Sequence, residues 1–198
     1  MNYDWHKHTA AVVQKKLPPS AALQKALALS LAPTLPKTAI DLGCGNGVDS
    51  LYLLENGWQV MAVDTHLAAL EQLQQNAGAA QREKLQTINS SFETFPLPSS
   101  TLINASFSLP FAHPNAFPAI WSQIQNALPP GGIFCGHLFG IHDSWNTRQN
   151  MAFHTKTAVM ELLQDFEITW LEETQKEGKT IGGAPKNWHV FHITAIKK

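Results

Sequence analysis

From residue 38 onward, short apolar runs alternate with longer stretches that place apolar residues at helical intervals. Ala39–Leu42, Gln59–Val63, Leu85–Asn89, Leu102–Leu109 and Ile133–Phe139 read as strands. Val48–Glu55, the stretch from a capping Thr65 to Asn76, Ala116–Leu128 and Lys156–Leu163 read as helices, with stops at Gly57, Gly78 and Pro129–Gly132. Glu167–Glu172 and Trp188–Ile196 follow as two more strands, the second with period-two alternation at Val190, Phe191, Ile193 and Ile196. Strands alternating with helices predict an α/β fold: a Rossmann-like, doubly wound, seven-stranded and mostly parallel sheet with helices on both faces. A Gly-rich polar loop without helical pattern joins the last two strands, so they are predicted to form a hairpin that leaves the last strand antiparallel. Residues 1–36 read as a helical N-terminal segment and residues 37–198 as the main domain. Within the former, a helix over Ala21–Leu31 is capped by Ser20 and ended by Pro33 and Pro36, and Asp4–His8 forms a short helix or flap.

The join between the first strand and the first helix carries the chemistry. Ala39-Ile40-Asp41-Leu42-Gly43-Cys44-Gly45-Asn46-Gly47 is a strand ending in an acid and then a glycine-rich turn. Glycine lets the chain bend sharply and lets a ligand lie against the backbone. The helix that follows points unpaired N–H groups at the turn. The spacing is not that of a dinucleotide dehydrogenase, because Val48 stands where the third glycine of G-x-G-x-x-G should fall. The second strand ends in Asp64, about twenty residues on, where an acid accepts hydrogen bonds from ribose hydroxyls.

Asp41-Leu42-Gly43-Cys44-Gly45-Asn46-Gly47 together with Asp64 resembles motifs I and II of the class I S-adenosylmethionine-dependent methyltransferases. Gly45-Asn46-Gly47 followed by Ser50-Leu51-Tyr52-Leu53 is similar to the small-molecule branch that includes tellurite-resistance methyltransferases. The resemblance implies S-adenosyl-L-methionine as cofactor and Asp41, Gly43, Cys44, Gly45, Asn46, Asp64 and Thr65 among its binding residues. The family usually has an acid after strand three, followed by an apolar residue over the adenine; here Ser91-Phe92 occupies that place. Ser91 offers no charged acceptor, whereas Phe92 can still stack on the ring. Phe107, Leu109 and Pro110 fall where methyl donor and acceptor meet in the family.

Ligands of open α/β sheets bind outside the carboxyl ends of the strands. By that rule His113, His142 and His189 are rim candidates for a general base, with Asp143 able to orient an imidazole. The catalytic expectation is therefore His113, His142 and Asp143. His137 lies inside a strand and reads as a packed histidine, and His6 and His8 suggest a flap over the cofactor.

Bulk properties narrow the reading. A formal net charge of −1 with no Lys/Arg block argues against nucleic acid as partner and for a small-molecule acceptor. The two cysteines, Cys44 and Cys135, form no C-x-x-C pair, and Cys44 reads as a small residue that fits the turn. No histidine pair has metal-ligand spacing beside a carboxylate, so no metal is expected. The polar N-terminus does not read as a signal peptide, and no apolar run approaches the ~18 residues of a membrane span, so the expected location is the cytoplasm. Two functions follow: methyl transfer to a small molecule by direct displacement, or binding of S-adenosylmethionine or S-adenosylhomocysteine without catalysis. The acceptor and the oligomeric state are not encoded in any pattern of the sequence.

Overall fold

The computed structural model describes residues 17–29 and 31–198; the expected Asp4–His8 helix or flap, with His6 and His8, lies outside them. Helix α1 (Ala21–Ala28) begins at Ser20, whose hydroxyl accepts the Leu23 N–H at 3.2 Å. It ends three residues before the expected Leu31, because Leu29 turns extended. The order continues β1 (Thr38–Leu42), α2 (Val48–Glu55), β2 (Gln59–Asp64), α3 (Leu67–Asn76), a single turn α4 (Ala79–Arg82) and β3 (Leu85–Asn89). Then come β4 (Leu102–Ala105), a 3₁₀ turn at Leu109–Phe111, α5 (Phe117–Ala127), β5 (Ile133–Gly140), β6 (Phe153–His154), α6 (Lys156–Leu162), β7 (Phe166–Lys179) and β8 (Pro185–Lys197).

The sheet runs β3-β2-β1-β4-β5-β8-β7, parallel from β3 to β5, with β8 antiparallel to both β5 and β7. This is the predicted Rossmann-like architecture with a reversed last strand. The two-residue β6 pairs with Phe139 and Gly140 of β5, beyond the last β4 partner at Gly136. It is an eighth strand too short to leave a pattern in the sequence.

Alternation along each strand sorts the core into two layers. Ile40, Leu42, Ile103, Phe134, Leu138 and Phe191 pack with Ile120, Trp121 and Ile124 of α5 and Val159 of α6. Ala39, Val60, Ala62, Leu102 and Cys135 face the other way, against Ala22, Leu23 and Ala26 of α1, Leu53 and Leu54 of α2 and Leu73 of α3. Helix α1 is thus part of the covering layer, and Thr194 of β8 donates its hydroxyl to the Ala22 carbonyl at 3.0 Å.

Two expectations are corrected. The fourth strand stops at Ala105 instead of Leu109, because Phe107 takes a left-handed φ of 52° and turns the chain into the 3₁₀ segment. The loop between the last strands is short: β7 runs on to Lys179 and β8 begins at Pro185, so the hairpin reaches well beyond the predicted Glu167–Glu172 and Trp188–Ile196. Among the described residues no helix is long and apolar enough to cross a membrane.

Candidate active site

Strand order reverses between β1 and β4, and a cavity of about 670 Å³ opens at the carboxyl ends of the strands there. The glycine turn forms its floor. The Gly43 and Cys44 N–H groups donate to the Val63 carbonyl at 2.8 and 3.1 Å, tying the turn to the end of β2. At Gly43 a Cβ would lie 2.4 Å from Cβ of Ser108, so only glycine lets the turn approach the chain after β4. Gly45 is different. It is left-handed at φ 53°, and a Cβ there would meet nothing within 4 Å, so its backbone lies open to the cavity.

Asp64, at the tip of β2, accepts the Gly45 N–H with Oδ2 and the His66 N–H with Oδ1, each at 2.8 Å. Each carboxylate oxygen keeps lone-pair capacity for a further donor. Asp64 therefore starts α3, whose N-cap is His66; Thr65, expected as the cap, lines the cavity instead.

Behind the turn lies a buried polar network that the sequence did not reveal. Asp41 accepts from the Ser50 hydroxyl at 2.6 Å and from Nδ2 of Asn104 at 2.8 Å. The same Asn104 amide reaches Asp49 at 3.0 Å, and Asp49 also accepts the Ser20 N–H at 2.8 Å. Burial, with the nearby Asp49 charge, pushes the Asp41 carboxyl up to about 7 against these hydrogen bonds. Burial likewise pushes the Cys44 and Cys135 thiols up, so neither is a ready nucleophile.

Asp41, Gly43, Cys44, Gly45, Asn46, Asp64, Thr65, Ser91, Phe92 and Phe107 all line the cavity. Ser91 bonds its hydroxyl to Thr94 at 3.1 Å. Phe107 stacks on His137 at 3.9 Å, and 41% of the residue is exposed.

The expected catalytic set is not brought to the cavity. His113 is exposed, and its Nδ1 accepts the Asn115 N–H at 3.2 Å, a local bond before α5. His142 is exposed and stacks on His189 at 5.2 Å. Asp143 is buried and orients no imidazole: it pairs with Lys186 and accepts the backbone N–H groups of Trp145 at 2.9 Å and His189 at 3.2 Å. His189 in turn accepts the His142 N–H on Nδ1, which leaves Nε2–H for Glu173 at 3.0 Å. The carboxyl-end rule finds the rim but not the direction in which a rim side chain points. Phe111 and Trp188, which follow β4 and begin the last predicted strand, lie where that rule puts the rim; what it missed is Phe139 and Trp145, with Leu17, Pro18 and Ser20 ahead of α1.

Comparison with known proteins agrees with this geometry. Residues 39–132 match the family described as the methyltransferase domain. The fold is similar to that of TehB from Haemophilus influenzae (18% identity, TM-score 0.74, 97% of this chain and 67% of that one). It is similar also to a SAM-dependent methyltransferase of Methanosarcina mazei (18%, TM-score 0.68, 91% and 99%). A third is 1,6-didemethyltoxoflavin-N1-methyltransferase from Burkholderia thailandensis, solved with 1,6-didemethyltoxoflavin and S-adenosylhomocysteine (21%, TM-score 0.63, 100% and 92%). No curated protein matches the sequence. The glycine turn, the acid ending β2 and the reversed last strand define a class I methyltransferase fold. The match to that family spans nearly half of the chain, and the fold is one shared with S-adenosylmethionine-dependent methyltransferases.

Proposed function

We propose that this protein is an enzyme that uses S-adenosylmethionine to methylate a small molecule held in the cavity between the glycine turn and the aromatic wall. The observation that carries the reading is a single cavity of about 670 Å³ in which a nucleoside-binding floor continues into an apolar chamber, a volume suited to a cofactor and a small partner. The residues fit the cofactor. Asp64 has lone pairs left for the two ribose hydroxyls, and the open backbone at Gly45, with Cys44 and Asn46, gives the nucleoside a surface to lie on. The Ser108 hydroxyl, buried beside Gly43 without a hydrogen-bond partner among the described residues, is available to a bound molecule. Thr65, Ser91 and Phe92 flank the adenine end. Asp41 and Asp49 set a negative potential for the amino end, and Phe107 stands where the methyl group meets its acceptor.

When bound, S-adenosylmethionine supplies a methyl on a sulfonium; the acceptor's lone pair forms the new bond while the C–S pair stays with sulfur. The chain's own contribution is to align the two partners and keep water out. Of the histidines described, only His66 lines the cavity, and it sits beside Asp64 at the nucleoside end. The reading therefore assigns no protein base to His113, His142 or Asp143, and the acceptor atom must bring its own lone pair. A near-neutral charge without a basic block supports a small acceptor over nucleic acid.

The test uses methyl-labelled S-adenosylmethionine with the protein and a cell extract. Label is expected in the acid-soluble, low-mass fraction. Label confined to precipitated protein or nucleic acid refutes the small-molecule acceptor, and absence of S-adenosylhomocysteine binding by calorimetry refutes the site.

A further inference from the structure

The strand order divides the cavity into two halves of opposite character. Its carboxylates, Asp41, Asp49, Asp64 and Glu93, all belong to segments at β1, α2, β2 and the loop after β3. The half over β4, β5 and β8 is walled by Phe107, Phe111, Phe139, Trp145 and Trp188. Lys179 is the one charged residue lining that half among the described residues.

Aromatic walls can select cations through their ring faces, or flat molecules through stacking. Here the cation's place is already taken. Nζ of Lys186 lies 4.8, 4.0 and 4.3 Å from the ring centroids of Phe139, Trp145 and Trp188. Its side chain is sealed from solvent and ion-paired with Asp143. A cationic acceptor against these rings meets a like charge fixed behind them.

Stacking is provided by Phe107. Its left-handed backbone is strained for a residue other than glycine, and it holds the ring with one face on His137 and 41% of the residue exposed. Trp188 stands edge-on to Phe107 at 6.3 Å, in ring contact, so the two form one continuous wall on which the exposed part of Phe107 is the surface left for a flat ring. We propose, resting on the cofactor reading above, that the acceptor is a planar aromatic molecule carrying an acidic group, its ring laid against Phe107 and the tryptophan wall and its anion directed to Lys179.

The test is calorimetric titration of the full chain, saturated with S-adenosylhomocysteine, with four probes: 4-hydroxybenzoate, phenol, tyramine and cyclohexanecarboxylate. The first is expected to bind at least about tenfold more tightly than each of the others, the scale of one charge-assisted contact. Lys179→Gln, at an exposed position, is expected to erase the advantage of 4-hydroxybenzoate over phenol and leave phenol unchanged. Equal or tighter binding of tyramine, equal binding of the cyclohexane acid, or no binding of any probe to the loaded protein overturns this proposal while leaving the cofactor reading intact. An advantage that survives Lys179→Gln also overturns it. If S-adenosylhomocysteine itself fails to bind, both readings fall together.

Discussion

Asp64 fixes the nucleoside end by doing two jobs with one carboxylate. Its bonds to the Gly45 and His66 N–H groups hold the turn and the start of α3 in register, and its remaining lone pairs face the cavity. Asp64→Ala is expected to weaken S-adenosylhomocysteine binding by about 1.5–3 kcal/mol, the scale of hydrogen bonds to a charged group. Calorimetry measures it, and an unchanged affinity refutes the assignment. Asp41 gives a second, pH-dependent signal. Its carboxyl, raised to about 7 by burial, is half protonated near neutrality, and a cationic amino end placed nearby favours the ionised form. Affinity for S-adenosylhomocysteine is therefore expected to rise as pH rises towards 7 and to level off above it, with a proton released on binding. Titrations in buffers of different ionisation heat count that proton, and Asp41→Asn is expected to remove it. The sequence made Asp41 and Asp64 legible because both end strands beside a glycine turn. The network through Asn104, which joins Asp41 to Asp49, was not legible, since it depends on β4 lying beside β1, across more than fifty residues of chain.

At the scale of elements, the β7–β8 hairpin depends on a buried ion pair for its position over the cavity. Lys186 near its tip meets Asp143 after β5, and two further bonds, Ser144 N–H to the Asn187 carbonyl at 3.0 Å and His189 N–H to the Asp143 carboxylate, close the same joint. Both side chains are fully removed from solvent, and burial pulls the Lys186 ammonium below its usual pKa against the opposing pull of Asp143. Removing one member leaves the other charge buried alone. Asp143→Asn or Lys186→Met is expected to cost about 3–5 kcal/mol, and Asp143→Asn/Lys186→Met less than the two singles together. Urea unfolding of the four proteins tests this, and additive losses dispose of the pair as the joint. The strands of this hairpin were legible from their alternation, but their length was not. Glu173, Lys176, Glu177 and Lys179 read as a polar loop, yet they form the exposed edge of β7, where charged side chains are the expected guard against edge pairing. The early end of β4 was hidden for a related reason. Ser106-Phe107-Ser108-Leu109 continues a strand-like alternation of polar and apolar residues, and nothing in the pattern announces a left-handed phenylalanine.

For the whole molecule, the same burial that shapes the site sets how stability responds to acid. His137 in β5 and His154 in β6 are pushed down by burial to about 3 and about 4, so both stay neutral in the fold and protonate near 6.5 once unfolded. Between those values the unfolded chain binds more protons, and the stability these two residues contribute falls as pH falls. Asp41 acts in the opposite sense: it is protonated in the fold up to about 7 but ionised in the unfolded chain above about 3.8, so acidification relieves its burial penalty. From pH 6.5 to about pH 5, each histidine costs about 2 kcal/mol and Asp41 offsets about as much, a net loss of about 2 kcal/mol at about 1.4 kcal/mol per pKa unit. The urea midpoint is accordingly expected to drop over that interval. Asp41→Asn discriminates, because it removes the one group that resists acid. Its loss between the two pH values is expected to be about twice that of the unaltered protein. A midpoint that is flat in the unaltered protein and flat in the variant means that His137 and His154 are hydrated in solution, and with them the base of the wall on which Phe107 stacks.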